Sequence, residues 1–360
     1  MFKIRTTYLV AAAAVALIVN ACGGAAPTTA PTAPTAAAPA ESSAPAAKQY
    51  TVGVTVYNMS SFITLGKLGI DNYAKARNIT VDWNSANDDV NTQVSQFEQF
   101  INKKVDAIII VPVNASTLGP QVQKAKDAGI PVIAVNTGLI GPAASLLTSN
   151  VLPDDVAAGS QEMSQMAKAL NGQGNVVVLQ GPLGSSPELN RTAGIKKILD
   201  QNPGIKVLSM QTAEWDRNKA YNAMKNWISA FGSKINGVVS ENDDMAIGAH
   251  RALQEANINV PIVGIDGIQD GLQGVMDGWL TATSLQNGIV ELAEGLAVTK
   301  MILDGQQVNQ NYTYTMPPVD SKELASKYYD QIFGPGRDAF AASIPDLVEQ
   351  NIASGNLANQ

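Results

Sequence analysis

The sequence is poor in the side chains on which most enzyme chemistry depends. Among 360 residues there is one cysteine, Cys22, and one histidine, His250. A single cysteine cannot close a disulfide within the chain, and it supplies neither a thiolate cluster for a metal nor a nucleophile within a folded core. A Ser-His-Asp triad would have to rest on His250 alone. Positive charge is also scarce. The 24 lysines and arginines stand against 31 aspartates and glutamates, a formal net charge of −7, whereas nucleic-acid binding needs clustered basic residues. No nucleic-acid partner is expected. The glycine-rich stretch "LQGPLGSS" follows a strand-like run, but no Lys-Ser or Lys-Thr comes after it to cradle a phosphate. No G-x-G-x-x-G follows the first strand, so dinucleotide binding lacks its fingerprint.

What is present begins at the N-terminus. "MFKIRTTYLVAAAAVALIVNAC" has a basic start (Lys3, Arg5), an apolar run from Tyr8 to Val19 and a small residue, Ala21, before Cys22. That layout is an export signal, and its apolar run is short for a bilayer span. It resembles a bacterial lipoprotein signal, which implies cleavage after residue 21 and lipid attachment at Cys22. Residues 22–48 are rich in Pro, Ala and Thr with almost no large apolar side chains, so they are expected to be a tether. The folded part is expected from about residue 49, outside the cytoplasm.

From Tyr50 onward, β-branched runs alternate with amphipathic stretches. "YTVGVTVY", "NITVDW", "VDAIIIVPV", "IPVIAVN", "NVVVLQG", "GIKVLSM", "INGVVS" and "VPIVGID" read as strands covered on both faces. Segments such as "LGPQVQKAKDAG" carry apolar residues at helical spacing. The alternation predicts a doubly wound α/β fold. Residues 105–137 also align without a gap onto 235–267, with Pro131 over Pro261 and Asn136 over Asp266. Two similar lobes would place Asn136 and Asp266 at equivalent strand ends, where open parallel sheets collect ligands.

In order and spacing, "VGVTVYNMSSF", "GIPVIAVN", "LQGPLGSS" with Arg191, "AEWDRNKAYNAM", "SENDDMAIGAHRAL", "VGIDG" and "LTATSLQN" resemble the periplasmic sugar-binding proteins of the ribose and glucose/galactose type. The resemblance runs from about residue 49 to 320. It implies two Rossmann-like lobes of the type I periplasmic binding protein fold, with three hinge crossovers near Asn150, Gln286 and Tyr312 and the ligand in the cleft. The first lobe would comprise 49–149 and 287–312, the second 150–286 and 313–360. The resemblance further implies closure on a monosaccharide and an ABC permease as membrane partner, with no cofactor and no metal; a monomer is expected. A sensory protein presenting a sugar or furanosyl signal to a chemoreceptor or kinase is the alternative.

Planar amides, carboxylates and guanidinium forks suit vicinal hydroxyls, and aromatic rings suit the C–H face of a pyranose. At the matching positions stand Phe62 and Trp215 as the rings, with Asn136, Arg191, Asn242, Asp266, Gln286 and Ser61 as the polar contacts. Ribose binders of this family carry Asp-Arg where this chain has Asn136-Thr137. The histidine and aspartate that the glucose/galactose type uses correspond to Ser185 and Pro187, and its calcium loop has no counterpart. The expected ligand is an aldohexopyranose such as D-glucose, or D-xylose. In "SENDDMAIGAH" a helix beginning near Asp243 puts His250 about 10 Å further along its axis, too far to share a metal ion. His250 is expected to be structural, flanking a buried stripe of Met245, Ala249, Ala252, Leu253 and Ala256, and Asp243 and Asp244 to face the helix dipole. Hydrolysis of a glycoside needs two carboxyl groups flanking one bond; only Asp266 is so placed, and no catalytic residue is expected.

Overall fold

The computed structural model describes residues 48–357. The expected export signal, Cys22 and all but the end of the expected tether lie outside these residues. The first half of the described chain alternates β1 (Tyr50–Val56), α1 (Ser61–Arg77), β2 (Ile79–Ser85), α2 (Val90–Lys103), β3 (Ala107–Val111), α3 (Gly119–Asp127), β4 (Val132–Val135) and β5 (Ser149–Pro153). The second half repeats the theme with α4 (Asp155–Ala169), β6 (Gly174–Gln180), α5 (Ser186–Gln201), β7 (Ile205–Thr212), α6 (Arg217–Phe231), β8 (Gly237–Ser240), α7 (Asp243–Glu255), β9 (Ile262–Asp266), α8 (Gln269–Asp277) and β10 (Ala282–Leu285). The chain closes with α9 (Gly288–Leu303), β11 (Asn311–Tyr314), β12 (Pro318–Val319), α10 (Lys322–Ile332) and α11 (Arg337–Ser354).

These elements form two six-stranded sheets, ordered β11-β5-β4-β3-β1-β2 and β12-β10-β9-β8-β6-β7. Every pairing is parallel except β10 with β12. The apolar run "AIIIV" of β3 is buried along its whole length, as a parallel strand covered on both faces requires. The chain crosses between sheets three times: after Pro153, between Leu285 and Gly288, and between Tyr314 and Pro318. Each crossing falls within a few residues of its expected place.

Helix starts explain how the strand ends become a site. Ser60, Ser185, Asp216 and Asn242 cap α1, α5, α6 and α7, their side-chain oxygens accepting the first free backbone N–H groups. All four follow the carboxyl ends of strands, so capped helix N-termini and strand ends share one edge of each sheet. Helix α7 begins at Asp243, and Met245, Ala246, Ala249, Ala252 and Leu253 are buried; Ala256 ends the helix and is exposed. His250 stacks on Trp279 with ring centroids 4.2 Å apart, a packing role, and burial lowers its pKa.

The C-terminal segment divides differently from the expectation that 313–360 lies with the second lobe. Strand β11 completes the first sheet through Tyr314, and α10 packs on α8. Helix α11 turns back onto α1 and α9 of the first lobe. Arg77 of α1 pairs with Asp346 and Glu349 at 2.8 Å, and the Tyr73 hydroxyl donates to Glu349 at 2.8 Å. Beneath these, Ile344, Val348 and Ile352 are buried. The apolar stripe of α11 finds its partner on α1 and α9 of the first lobe.

The two lobes touch across the cleft. The Gly138 amide donates to Ser186 Oγ at 2.8 Å, and Ser61 Oγ donates to Asp244 Oδ1 at 3.3 Å. This is a closed arrangement.

Candidate functional site

The site grows from two equivalent strand ends. Asn136 follows β4 with φ 64°, and Asp266 ends β9 with φ 130°. Backbone of this kind is unusual for side chains other than Gly and Asn, and it marks positions that the surroundings over-determine. For Asp266 the surroundings are visible. The buried Asp243 carboxylate accepts from the amides of Gly267 at 2.8 Å and Ile268 at 3.2 Å, and from the Thr283 hydroxyl at 2.8 Å. A Cβ on Gly271 would lie 2.1 Å from that carboxylate, so glycine is what lets Asp243 reach the loop. Asp243 thus does more than complement the dipole of α7: it clamps the turn that aims Asp266. Burial pushes its own carboxyl up to about 7.

Between the lobes lies a space of about 340 Å³, part of it open to solvent, lined by Tyr57, Ser60, Phe62, Asn136, Thr137, Pro187, Arg191, Trp215, Asn242, Asp266 and Gln286. Seven of the eight residues expected from the sequence are among these. Ser61 is not. It faces Asp244 outside the cavity, and its neighbour Ser60 takes the place at the wall, its hydroxyl 3.2 Å from that of Tyr57. The rings are seated by glycines: a Cβ on Gly181 would lie 2.0 Å from the Trp215 indole, and one on Gly288 would lie 3.1 Å from the Phe62 ring.

Arg191 is the electrostatic centre. Its Nε donates to Asp155 Oδ1 at 2.8 Å, one terminal nitrogen to the Glu241 carbonyl at 2.5 Å, and the other to Gln286 Oε1 at 2.7 Å. Its guanidinium carbon stands 5.5 Å from the centroid of the Trp215 ring. Burial works against the cation, but Asp155, Asp266 and Glu241 outweigh it and hold its pKa above the ordinary value. A guanidinium has five N–H groups; three are used in these hydrogen bonds, and Arg191 lines the cavity.

Asp266 is the opposite case. It is buried, and its nearest cation contact is Arg191 at 3.8 Å, beyond hydrogen-bond distance. No other described side chain or amide donates to its carboxylate. Burial pushes its pKa well above the usual carboxylate range, Arg191 opposes this, and Asp243, Asp244 and Glu291 add to it. The carboxylate lines the cavity with its acceptor positions free of protein donors, and hydroxyl groups brought into the cavity would donate to it. Asn242 spends its Oδ1 on the amide of Met245 at 2.9 Å, which turns its NH₂ away from the helix. The arrangement offers donors and acceptors for several hydroxyls between two rings. It offers no paired acid and base around one bond, since Asp155 is committed to Arg191. Among the described residues no group of His, Cys, Asp and Glu could hold a metal ion.

Sequence reasoning missed Tyr57, Ser60 and Thr137 at the wall, and Asp155, Glu291 and Tyr314 behind it. Tyr57 ends the first β-branched run, and a polar aromatic at a strand end was a usable signal. The residues behind the wall carried none.

Comparisons agree with this geometry. A family profile described as a periplasmic binding protein domain matches residues 52–307. A xylitol-binding protein of Mycolicibacterium smegmatis is 53% identical over 310 residues, covering 85% of this chain and 87% of the relative. A ribose import binding protein of Bacillus subtilis is 31% identical over 268 residues, covering 73% and 85%. An ABC transporter solute binding protein from Bacillus halodurans, solved with bound myo-inositol, superposes with a TM-score of 0.73 at 30% identity, covering 78% of this chain and 98% of that one. Proteins of this family bind their ligands outside the cytoplasm. The chain belongs to the periplasmic binding proteins, among the sugar-binding solute-binding proteins.

Proposed function

We propose that this protein captures one small polyhydroxylated molecule, a five-carbon polyol of the xylitol kind or an aldopyranose such as D-xylose or D-glucose, and hands it to an ABC permease. The observation that carries the reading is Asp266, a buried carboxylate with no protein donor, beside Arg191 in a cavity that the rings of Phe62 and Trp215 also line. A vicinal diol supplies both needs at once: its hydroxyls donate to Asp266 and accept from Arg191. The 53% identity to a protein named for xylitol supports putting the acyclic polyol first and the two aldoses second. Asn136, Asn242 and the two rings complete the ligand contacts. Gln286 reaches the ligand only through its carbonyl oxygen. Closure follows from a ligand bridging both lobes, since contacts stronger in the closed state shift the equilibrium toward it. Lipid attachment at Cys22 would hold the monomeric receptor at the membrane beside its permease.

The test is thermal unfolding of the chain from Lys48 onward with xylitol, D-xylose, D-glucose, D-ribose and myo-inositol. A ligand at a thousand times its Kd adds about 4 kcal/mol of stability. A shift with xylitol that exceeds the others, lost in Asp266→Ala, supports the reading. No shift with any polyol or aldose refutes it. Metabolic labelling with a fatty acid, lost in Cys22→Ser, tests the anchor separately.

A further inference from the structure

Behind the cavity wall, the three crossovers meet in one buried chain of hydrogen bonds. Asp155 opens α4 just after the first crossover and holds Arg191. Gln286 lies on the second, and its oxygen accepts from Arg191 while its NH₂ donates to Glu291 Oε2 at 3.1 Å and to the Tyr314 hydroxyl at 3.0 Å. Tyr314 lies at the third, and its hydroxyl is near enough to Glu291 to oppose the rise that burial gives that carboxyl. Glu291, on the first turn of α9, receives a further contact at 3.5 Å from the amide nitrogen of Asn136, at the long limit of a hydrogen bond. Its other oxygen, Oε1, is buried with no partner.

The chemistry of the partners fixes the direction of both amides. Arginine only donates, so the oxygen of Gln286 must face Arg191, and its NH₂ must face the acceptor Glu291. The same acceptor takes the NH₂ of Asn136, which leaves the Asn136 oxygen beside the Thr137 hydroxyl, 3.2 Å away, on the cavity side. Without Glu291 nothing among the described contacts prevents the Asn136 amide from turning over, whereas Gln286 keeps its oxygen on Arg191 and loses only one of its two acceptors.

We propose that Glu291 is a positioning residue of the binding site: one buried carboxylate oxygen sets which end of the Asn136 amide the ligand meets and takes one hydrogen bond from Gln286, the bridge between Arg191 and the third crossover. The ligand then meets an acceptor on the first lobe at Asn136, and the site selects a hydroxyl oriented to donate there. This rests on the polyol-binding reading above.

The experiment compares the purified protein with Glu291→Gln, Glu291→Met and Tyr314→Phe, measuring Kd by calorimetry for xylitol and its epimers ribitol and D-arabinitol, together with Tm. Glutamine can still place an oxygen between the two amides, so Glu291→Gln is expected to keep Kd and epimer preference within about threefold. Methionine fills the volume without an acceptor. Its Kd is expected to rise about tenfold or more, with the ratio between epimers falling toward one. Tyr314→Phe, which leaves Glu291 in place, should raise Kd by a smaller factor and keep the preference. A lower Tm in Glu291→Met with unchanged Kd and unchanged preference overturns the proposal and leaves Glu291 a structural residue. If Glu291→Met fails to fold, Tyr314→Phe and Glu291→Gln decide: loss of epimer preference in Glu291→Gln also overturns it. If the wild-type protein binds none of the three pentitols, the polyol reading itself fails, an outcome distinct from wild-type binding with an indifferent Glu291.

Discussion

The two lobes present the same device, a residue at positive φ beyond a parallel strand, with opposite electrostatics. The first lobe presents a neutral amide, Asn136, held from behind by Glu291. The second presents a carboxylate, Asp266, held from behind by Asp243 and faced by the cavity's cation, Arg191. Both charged groups that face the cavity therefore sit on one side of the cleft, and the other side contributes amide, hydroxyl and ring. An asymmetric cleft of this kind divides the work. The second lobe supplies the strong charge-assisted contacts, and the first lobe supplies the closing face and the choice among hydroxyl arrangements. The comparison can be broken by removing charge from the second lobe.

The largest effect is expected from Arg191→Met. It would leave Asp155 and Asp266 buried without their cation, and breaking a buried pair in this way costs about 3–5 kcal/mol. Both Tm and binding should collapse, and chemical denaturation is the measurement that reads the first. If Arg191→Met kept its stability, Arg191 would be a ligand contact only and the second lobe would lose its organising role. Asp266→Asn separates the two functions. The Asp266 carboxylate makes no hydrogen bond in the closed structure, so the unliganded variant should be as stable as wild type or more so. Its affinity should drop about a hundredfold or more through the loss of charge-assisted hydrogen bonds to the ligand. A stable variant that still binds with wild-type Kd would move the ligand away from Asp266.

A smaller, signed effect is expected with pH. Burial pushes Asp243 up to about 7 and Glu241, Glu291 and Glu294 up to about 8. In the unfolded chain these groups titrate near 4. Between those limits the folded protein holds protons that the unfolded chain has released, so stability falls as pH rises from about 5 to about 8. Carboxylates held low by partners, such as Glu349 beside Arg77, complete their titration below that window. Unliganded Tm measured across it should decline, and Glu291→Gln and Asp243→Asn should each flatten the decline by one group. A Tm that rises across the window would mean that these carboxylates are ionised at little cost. The two variants would then show which lobe carries more of the burden.

Most of the strands were legible because both faces of a parallel sheet are covered, which leaves short β-branched runs such as "AIIIV" as a clear signal. Asn136 and Asp266 were legible because an internal repeat aligned them and because strand ends are where such sheets bind. The residues that hold the site were not. Glu291 sits in α9, where every residue from Gly288 to Thr299 is buried. A helix covered all round has no polar face against which an isolated glutamate would stand out. The place of α11 was hidden for a related reason. Its apolar stripe says that it must be covered, but not by which lobe, and the deciding contacts join Arg77 to Asp346 and Glu349, some 270 positions apart. The β12 strand is two residues long and antiparallel, too short for any period to register.

The smallest expected effect concerns neighbouring serines on the first lobe and tests how finely the wall is drawn. Ser61 donates to Asp244 across the cleft at 3.3 Å, a long contact to a carboxylate that already accepts from Arg217. Ser61→Ala should therefore change Kd by less than about threefold, because a weak hydrogen bond is removed and its acceptor keeps a charged donor. Ser60 caps α1 through the amide of Ile63 at 3.2 Å, touches the Tyr57 hydroxyl and lines the cavity. Ser60→Ala should cost about 1 kcal/mol of stability as a lost cap and weaken binding more than Ser61→Ala does. Calorimetry on the pair reads the order directly. If Ser61→Ala proves the more damaging for Kd while Tm is unchanged, the Asp244 contact is a latch of the closed state, and the first lobe would contribute to capture by holding the cleft shut as well as by facing the ligand.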